Sequence, residues 1–273
     1  MGHTRLGTIP KTRKWRAVVA EVARVGEIGF GGAGGRTVDL ADDVEDLSRR
    51  ALDAAKNGLD RAVDDAGLRH TFFLLTQLVL AARHEDWRAR LGLVGIRVPE
   101  VATVFDLVVE VQAAIDDTVA FRGRATDISE MAQQAAGEAI TALAGPRALT
   151  LFGENADDVR LAVRTLSTRN GFGELGQRFF GGFMTRFLNF YLSRVTASYL
   201  GGPRVEQVGD VTRFNDALAH HCQESARIVR DFCAQWYSST EFREGITPEN
   251  TAGFMAVAIR KIQSELSRQG SGG

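Results

Sequence analysis

The sequence predicts an all-α protein: a multi-helix bundle of eight or nine helices with a central aromatic-rich helix. Three observations carry this expectation. Apolar residues recur three and four apart along most of the chain, the period of a helix face and not the alternation of a strand. Helix punctuation is frequent, with Thr247-Pro248-Glu249 as a start and Gly145-Pro146 and Gly201-Gly202-Pro203 as stops. No two stretches read as a strand pair.

Taken in order, Trp15, Val18, Val19, Val22 and Val25 mark a first short helix opened by Thr12. A glycine-rich loop follows, with six glycines between Gly26 and Arg36; ordering it costs much backbone entropy, so it is expected to be mobile. Thr37 caps a long helix with the stripe Leu40, Val44, Leu47, Ala51, Ala55, Leu59 and Val63, and Gly67 is its expected stop. Phe72 to Ala82 is apolar all round and reads as a core helix too short to cross a bilayer. His84 to Val98 reads as a loop with a short element, and Pro99 as the first position of a valine-rich helix. Asp127 opens the next helix and Asn155 caps another. Phe172 to Leu200 forms the aromatic helix, and Asp210 opens one long helix carrying Phe214, Leu218, Cys222, Val229, Cys233 and Trp236. Met255, Ile259, Ile262 and Leu266 face the core from the last.

The 273 residues suffice for one large core or two modest ones. The organisation expected is a basic N-terminal arm, short helix and loop over 1–36, then a bundle over 37–270 with a sub-boundary near 145. The 33 basic and 34 acidic residues nearly cancel, which argues against a general nucleic-acid binder. Arginine supplies 29 of those 33 basic residues, a skew common in GC-rich bacterial genomes. The N-terminus is polar and basic and lacks the apolar centre of a signal peptide. Cys222 and Cys233 are placed on one helix about 16 Å apart along its axis, too far to bond, which suits a reducing, cytoplasmic compartment.

Several patterns carry chemistry on paper. Gly29-Phe30-Gly31-Gly32-Ala33-Gly34 has the spacing of a dinucleotide loop, but a helix pattern precedes it and the acids from Asp39 to Asp46 would repel a phosphate. Arg5, Lys11, Arg13 and Lys14 surround Trp15 as candidate phosphate contacts, set against a solvated helix start with Trp15 in the core. His220, His221 and Cys222 point about 100° apart per residue on a helix and do not converge. Asp216, His220 and Glu224 share a face but lack a second ligand set, so no metal, cofactor or catalytic residue is assigned.

The aromatic helix is the least ordinary feature, with eight of the 22 aromatic residues in 28 positions. Phe179, Phe183, Phe187 and Tyr191 are the expected partner-binding or self-association seam, because one neighbouring helix cannot cover so wide an apolar face. A permanent membrane span is not expected, since Arg186 and Arg194 would lie within it. Pairing the aromatic helix antiparallel with the one after it sets Arg194 opposite Asp216, Arg186 opposite Glu224 and Arg178 opposite Asp231, with His220 in the same polar seam. The functional expectation is a non-enzymatic binding or structural subunit of a bacterial cytoplasmic assembly. The rival readings are a membrane-active protein that exposes the aromatic helix, and an enzyme without a recognisable motif.

Overall fold

The computed structural model describes residues 13–28, 40–100, 102–122, 125–149, 155–199 and 208–268. They form α1 (Arg13–Ile28), α2 (Leu40–Ala54), α3 (Lys56–Ala62), α4 (Ala66–Ala81), α5 (Trp87–Gly92), α6 (Val104–Arg122), α7 (Asp127–Ala148), α8 (Ala156–Thr165), α9 (Arg169–Tyr199), α10 (Val208–Ser225), α11 (Arg227–Arg243) and α12 (Pro248–Arg268). The all-α class holds, and the count among the described residues is twelve, not eight or nine.

The extra helices come from breaks that leave the apolar period intact. The stripe from Leu40 to Val63 is cut at Ala55, and the one from Phe214 to Trp236 at Ala226. At each break a tighter bond to the residue three back, Gly58 N–H to Ala55 and Val229 N–H to Ala226, turns the chain without moving apolar positions off their side. The short element between His84 and Val98 is α5. Cys222 and Cys233 therefore sit on two helices, not one; both are free and buried.

Two stops and one start also fall differently. Gly67 does not end a helix but lies in the first turn of α4, where a Cβ would collide with Ser129 of α7. Asp65 caps α4 by accepting from Leu68 N–H at 2.8 Å, and its other carboxylate oxygen accepts from Thr126 Oγ1 at 2.7 Å. Thr126 in turn caps α7 in a capping box with Ser129, so one carboxylate pins two helix starts together. Pro146 does not stop α7, which continues to Ala148. Pro99 lies in the loop before α6; the helix begins five residues later at a reciprocal cap, where Thr103 N–H donates to Asp106 at 2.9 Å and Asp106 N–H to Thr103 Oγ1 at 3.2 Å.

Helix α9 has 31 residues, about 46 Å of rise, and α7, α10 and α11 pack along it, with α1 and α2 against it as well. Its aromatic side chains meet those of α4, α11 and α12 around Phe72. That ring lies 5.2–5.9 Å from Phe172, Phe179 and Phe180, 6.1 Å from Trp236 and 5.4 Å from Phe254. Edge and tilted geometries dominate the contacts to α9, as the ring quadrupole favours. Trp15 and Val18 of α1 join the same core. At one end of the bundle Arg83, at the end of α4, donates to Glu241 Oε1 at 2.7 Å, to the Ser167 carbonyl at 2.6 Å and to the Tyr237 hydroxyl at 2.9 Å. One guanidinium thus ties α4 to the α8–α9 turn and to α11, and Tyr237 stacks on Phe172 beneath it at 4.1 Å.

Candidate functional site

A polar cleft of about 560 Å³ lies between α7, α9, α10 and the start of α11. Its floor is Gly182, and Arg178 and Arg186 line it one turn to either side on α9. Gly182 is buried between the two arginines; Arg186 donates to its carbonyl at 3.1 Å, and a Cβ there would meet the Arg186 tip at 3.3 Å, Ala135 at 3.5 Å and Glu138 at 3.6 Å. His220 and Gln223 line the α10 wall.

The wall is built by an antiparallel hairpin, as the sequence predicts. Partners of α9 fall in number as α9 rises: Phe172 stacks on Tyr237, Glu174 binds Arg230, Gln177 donates to the Gln223 carbonyl at 3.1 Å, and the Thr185 hydroxyl bonds the Cys222 thiol. The contacts fall short of the expected register by an uneven amount, from about one residue at Phe172 to about ten at Gln177. Among the described residues the expected pairs of Arg186 with Glu224 and of Arg178 with Asp231 are not formed. Arg186 turns to α7 instead and binds Glu138 at 2.8 Å and Gln134 at 3.3 Å. Glu224 binds Arg227 at 2.9 Å, within its own face. Arg178 makes no ion pair with Asp231 among the described residues, and both are exposed. The Arg194 side chain lies outside the described residues, and Asp216 is exposed. Between α9 and the helices after it, Gln177 donates to the Gln223 carbonyl, Gln223 donates to the Arg178 carbonyl, and Glu174 pairs with Arg230 at 2.9 Å.

Three acids line the cleft, and each is held by arginine: Glu138 by Arg186, Glu174 by Arg230 and more loosely by Arg147 at 3.8 Å, Glu224 by Arg227. Arg178 is the lining arginine without an acid partner among the described residues. His220 is exposed beside it on the other wall and makes no hydrogen bond among them. His221 behaves differently: its Nε2 is buried without a hydrogen-bond partner, and burial, aided by the neighbouring His220, holds its pKa below the ordinary value of 6.5.

The expected aromatic seam is overturned by burial. Phe179, Phe183 and Phe187 are wholly buried and Tyr191 is 4% exposed, all against the chain's own helices. Glycines of α9 explain how so wide an apolar surface is covered. At Gly173, Gly176 and Gly181 a Cβ would run into Arg230, Cys233 and Gln223, so α10 and α11 come within backbone distance and several helices share the surface that one could not cover.

Of the basic arm, Lys14 pairs with Asp53 at 2.7 Å, Arg13 is exposed, and Arg5 and Lys11 lie outside the described residues. Trp15 is buried, 5.8 Å from Tyr191. The glycine pattern from Gly29 to Gly34 and the cap at Thr37 also lie outside them, while Gly26 belongs to α1; a helix and not a strand thus leads up to the motif. Among the described residues no three histidine, cysteine, aspartate or glutamate side chains are grouped to hold a metal. Burial pushes the Cys222 thiol up to about 12 and the Cys233 thiol higher still, which keeps both protonated and unreactive.

The exposed apolar surface lies elsewhere. On α6 the residues Val104, Leu107, Val108, Val111, Ile115 and Val119 face the core, while Phe105 is 73% and Val109 43% exposed. Ala113 and Ala120 continue that outer face, and Asp106, Glu110, Asp116 and Asp117 flank it. The sequence carried this signal, since a valine-rich helix with Phe105 off its main stripe has apolar residues on two faces. Among the described residues no helix is long and apolar enough to cross a membrane. No family model, no curated protein and no solved structure matches the chain.

Proposed function

We propose that the chain is a helical docking subunit of a bacterial cytoplasmic assembly, and that it meets its protein partner through the outer face of α6. The observation that carries this reading is the pair Phe105 and Val109, one turn apart and open to solvent on a helix that also leaves Phe121 exposed near its end. A phenylalanine left 73% exposed beside an exposed valine gives up the burial free energy that a partner would recover, about 25 cal/mol per Å² of apolar surface. The flanking carboxylates choose the partner's charge. Asp106, Glu110, Asp116 and Asp117 stand along the helix against the single base Arg122. Two copies joined through this face would set acids against acids, whereas a segment with apolar anchors and basic flanks is complementary. The free, buried cysteines suit a reducing compartment, and the arginine-rich composition suits a bacterial source.

The test is the double variant Phe105→Glu, Val109→Glu, compared with the native chain by sedimentation in lysate and by affinity purification. A stoichiometric protein bound to the native chain and lost from the variant, with thermal melting unchanged, is the expected result. Native and variant chains that both sediment as lone monomers, or that retain the same partner, would overturn the reading.

A further inference from the structure

The polar cleft is independent of the α6 face, and the charges that line it are unevenly paired. Three arginines (178, 186 and 230) line it with three glutamates, and Arg147 and Arg227 reach two of those acids from outside the lining. The acids are saturated by four of those arginines, and Arg178 is left over. The positions of Arg178, Gly182 and Arg186 give each arginine about 6 Å of rise from the glycine between them, within reach of a long side chain. His220 faces the same space from α10. We propose that this cleft binds the phosphoryl group of a small phosphate monoester, with Arg178 as its principal contact, Arg186 and His220 as flanking donors and Gly182 as the gap that admits it.

The chemistry favours a phosphoryl group over a carboxylate. A guanidinium presents a planar fork that engages two oxygens at once, and a tetrahedral dianion still has oxygens for a second wall. A carboxylate held by Arg178 keeps only the outer, in-plane lone pairs of the same two oxygens for His220 across the cleft, whereas a phosphoryl group keeps a further oxygen out of that plane. The volume of about 560 Å³ exceeds that of a bare phosphate and lies within the range of small-molecule sites, so an organic moiety fits beside the anion. The cleft is half open and largely polar, which sets the expected affinity in the micromolar to millimolar range.

Calorimetric titration of the full chain with inorganic phosphate, glycerol phosphate and acetate decides the matter, alongside Arg178→Gln and Gly182→Leu. The first variant removes the fork; the second places a side chain between the two arginines, where the Arg186 tip, Ala135 and Glu138 lie 3.3–3.6 Å from the Cβ position. Saturable binding of glycerol phosphate, weakened about tenfold or more in both variants while their melting curves match the native one, is the expected result. Absence of binding by either phosphate probe at millimolar concentration, binding that both variants retain, or equal binding of acetate would overturn it. Flotation with phosphatidate-containing vesicles separates the sources of a phosphoryl group: binding of the soluble ester without flotation supports a small-molecule site, and flotation without binding of the soluble ester overturns it.

Discussion

Helices α9 and α6 are both apolar on more than one face, and the protein treats them in opposite ways. The first has Phe172, Phe179, Phe180, Phe183 and Phe187 wholly buried by the same chain. The second buries one stripe and leaves Phe105 and Val109 in water. Residue hydrophobicity does not separate them; the supply of close neighbours does. Gly173, Gly176 and Gly181 of α9 let α10 and α11 approach closely, so that these helices and α7 close round it. No glycine occurs in α6, and α4 and α7 cover it from one side. An apolar face is thus a docking surface only after the chain's own helices have been counted against it.

The largest effect expected from breaking this contrast is at Phe179. Truncation to alanine there removes a ring packed on Phe72 and Phe180 and should cost about 3–5 kcal/mol in urea unfolding. The same truncation at Phe105 should fall within about 0.5 kcal/mol of the native value, because nothing of its own chain packs over most of the ring. Equal losses at the two positions would mean that α6 is covered after all. A smaller effect is expected where α9 admits its neighbour. Gly176→Ala places a Cβ against Cys233 and should destabilise by about 1–3 kcal/mol through overpacking, although alanine is the better helix former. The same change at Gly182, where the nearest atom is a movable arginine tip, should be neutral or mildly stabilising, so the pair of variants separates packing from propensity.

How much of this was legible follows from the same glycines. The all-α class, the aromatic helix, the caps at Asn155 and Thr247 and the antiparallel pairing of α9 with α10 could be read from periodicity and punctuation, which are local properties. The breaks at Ala55 and Ala226 could not, because a one-residue turn leaves the apolar period in phase. The seam of arginines and acids failed for two reasons: charges recur so often on a helix face that almost any register matches some of them, and Arg186 had an acid available on α7, which pairwise reading of adjacent helices never consults. The cleft depends on Gly182 lying between Arg178 and Arg186. That spacing is visible in the sequence, but its meaning is not, since it depends on which glycines are covered. Gly176 and Gly181 are met by α11 and α10, and Gly182, one residue further, opens to the cleft.

The smallest expected effect is a pH dependence that distinguishes the interior packed round α9 from the surface of α6. His221 on α10 has a buried, unpartnered Nε2 and a pKa held below its ordinary 6.5, by burial first and by His220 second. Asp106 on α6 also has a lowered pKa, from the ordinary 3.8, because its carboxylate accepts the Thr103 N–H and hydroxyl. The sign is the same for both groups and the windows differ. A folded-state pKa below the unfolded one means that the unfolded chain binds the proton first, so stability is present above the unfolded pKa and is lost as pH falls through the folded one. For His221 the loss begins as pH drops below about 6.5, while for Asp106 it waits until the solution is more acidic than about 3.8. Melting temperature measured from pH 7.5 to 5 should therefore decline in the native chain and decline less in His221→Gln, with Asp106→Asn tracking the native slope over that interval. An identical slope in native and His221→Gln chains would show that the imidazole takes up its proton in the folded state at no cost, and that the interior beside α10 is as open to water as the face of α6.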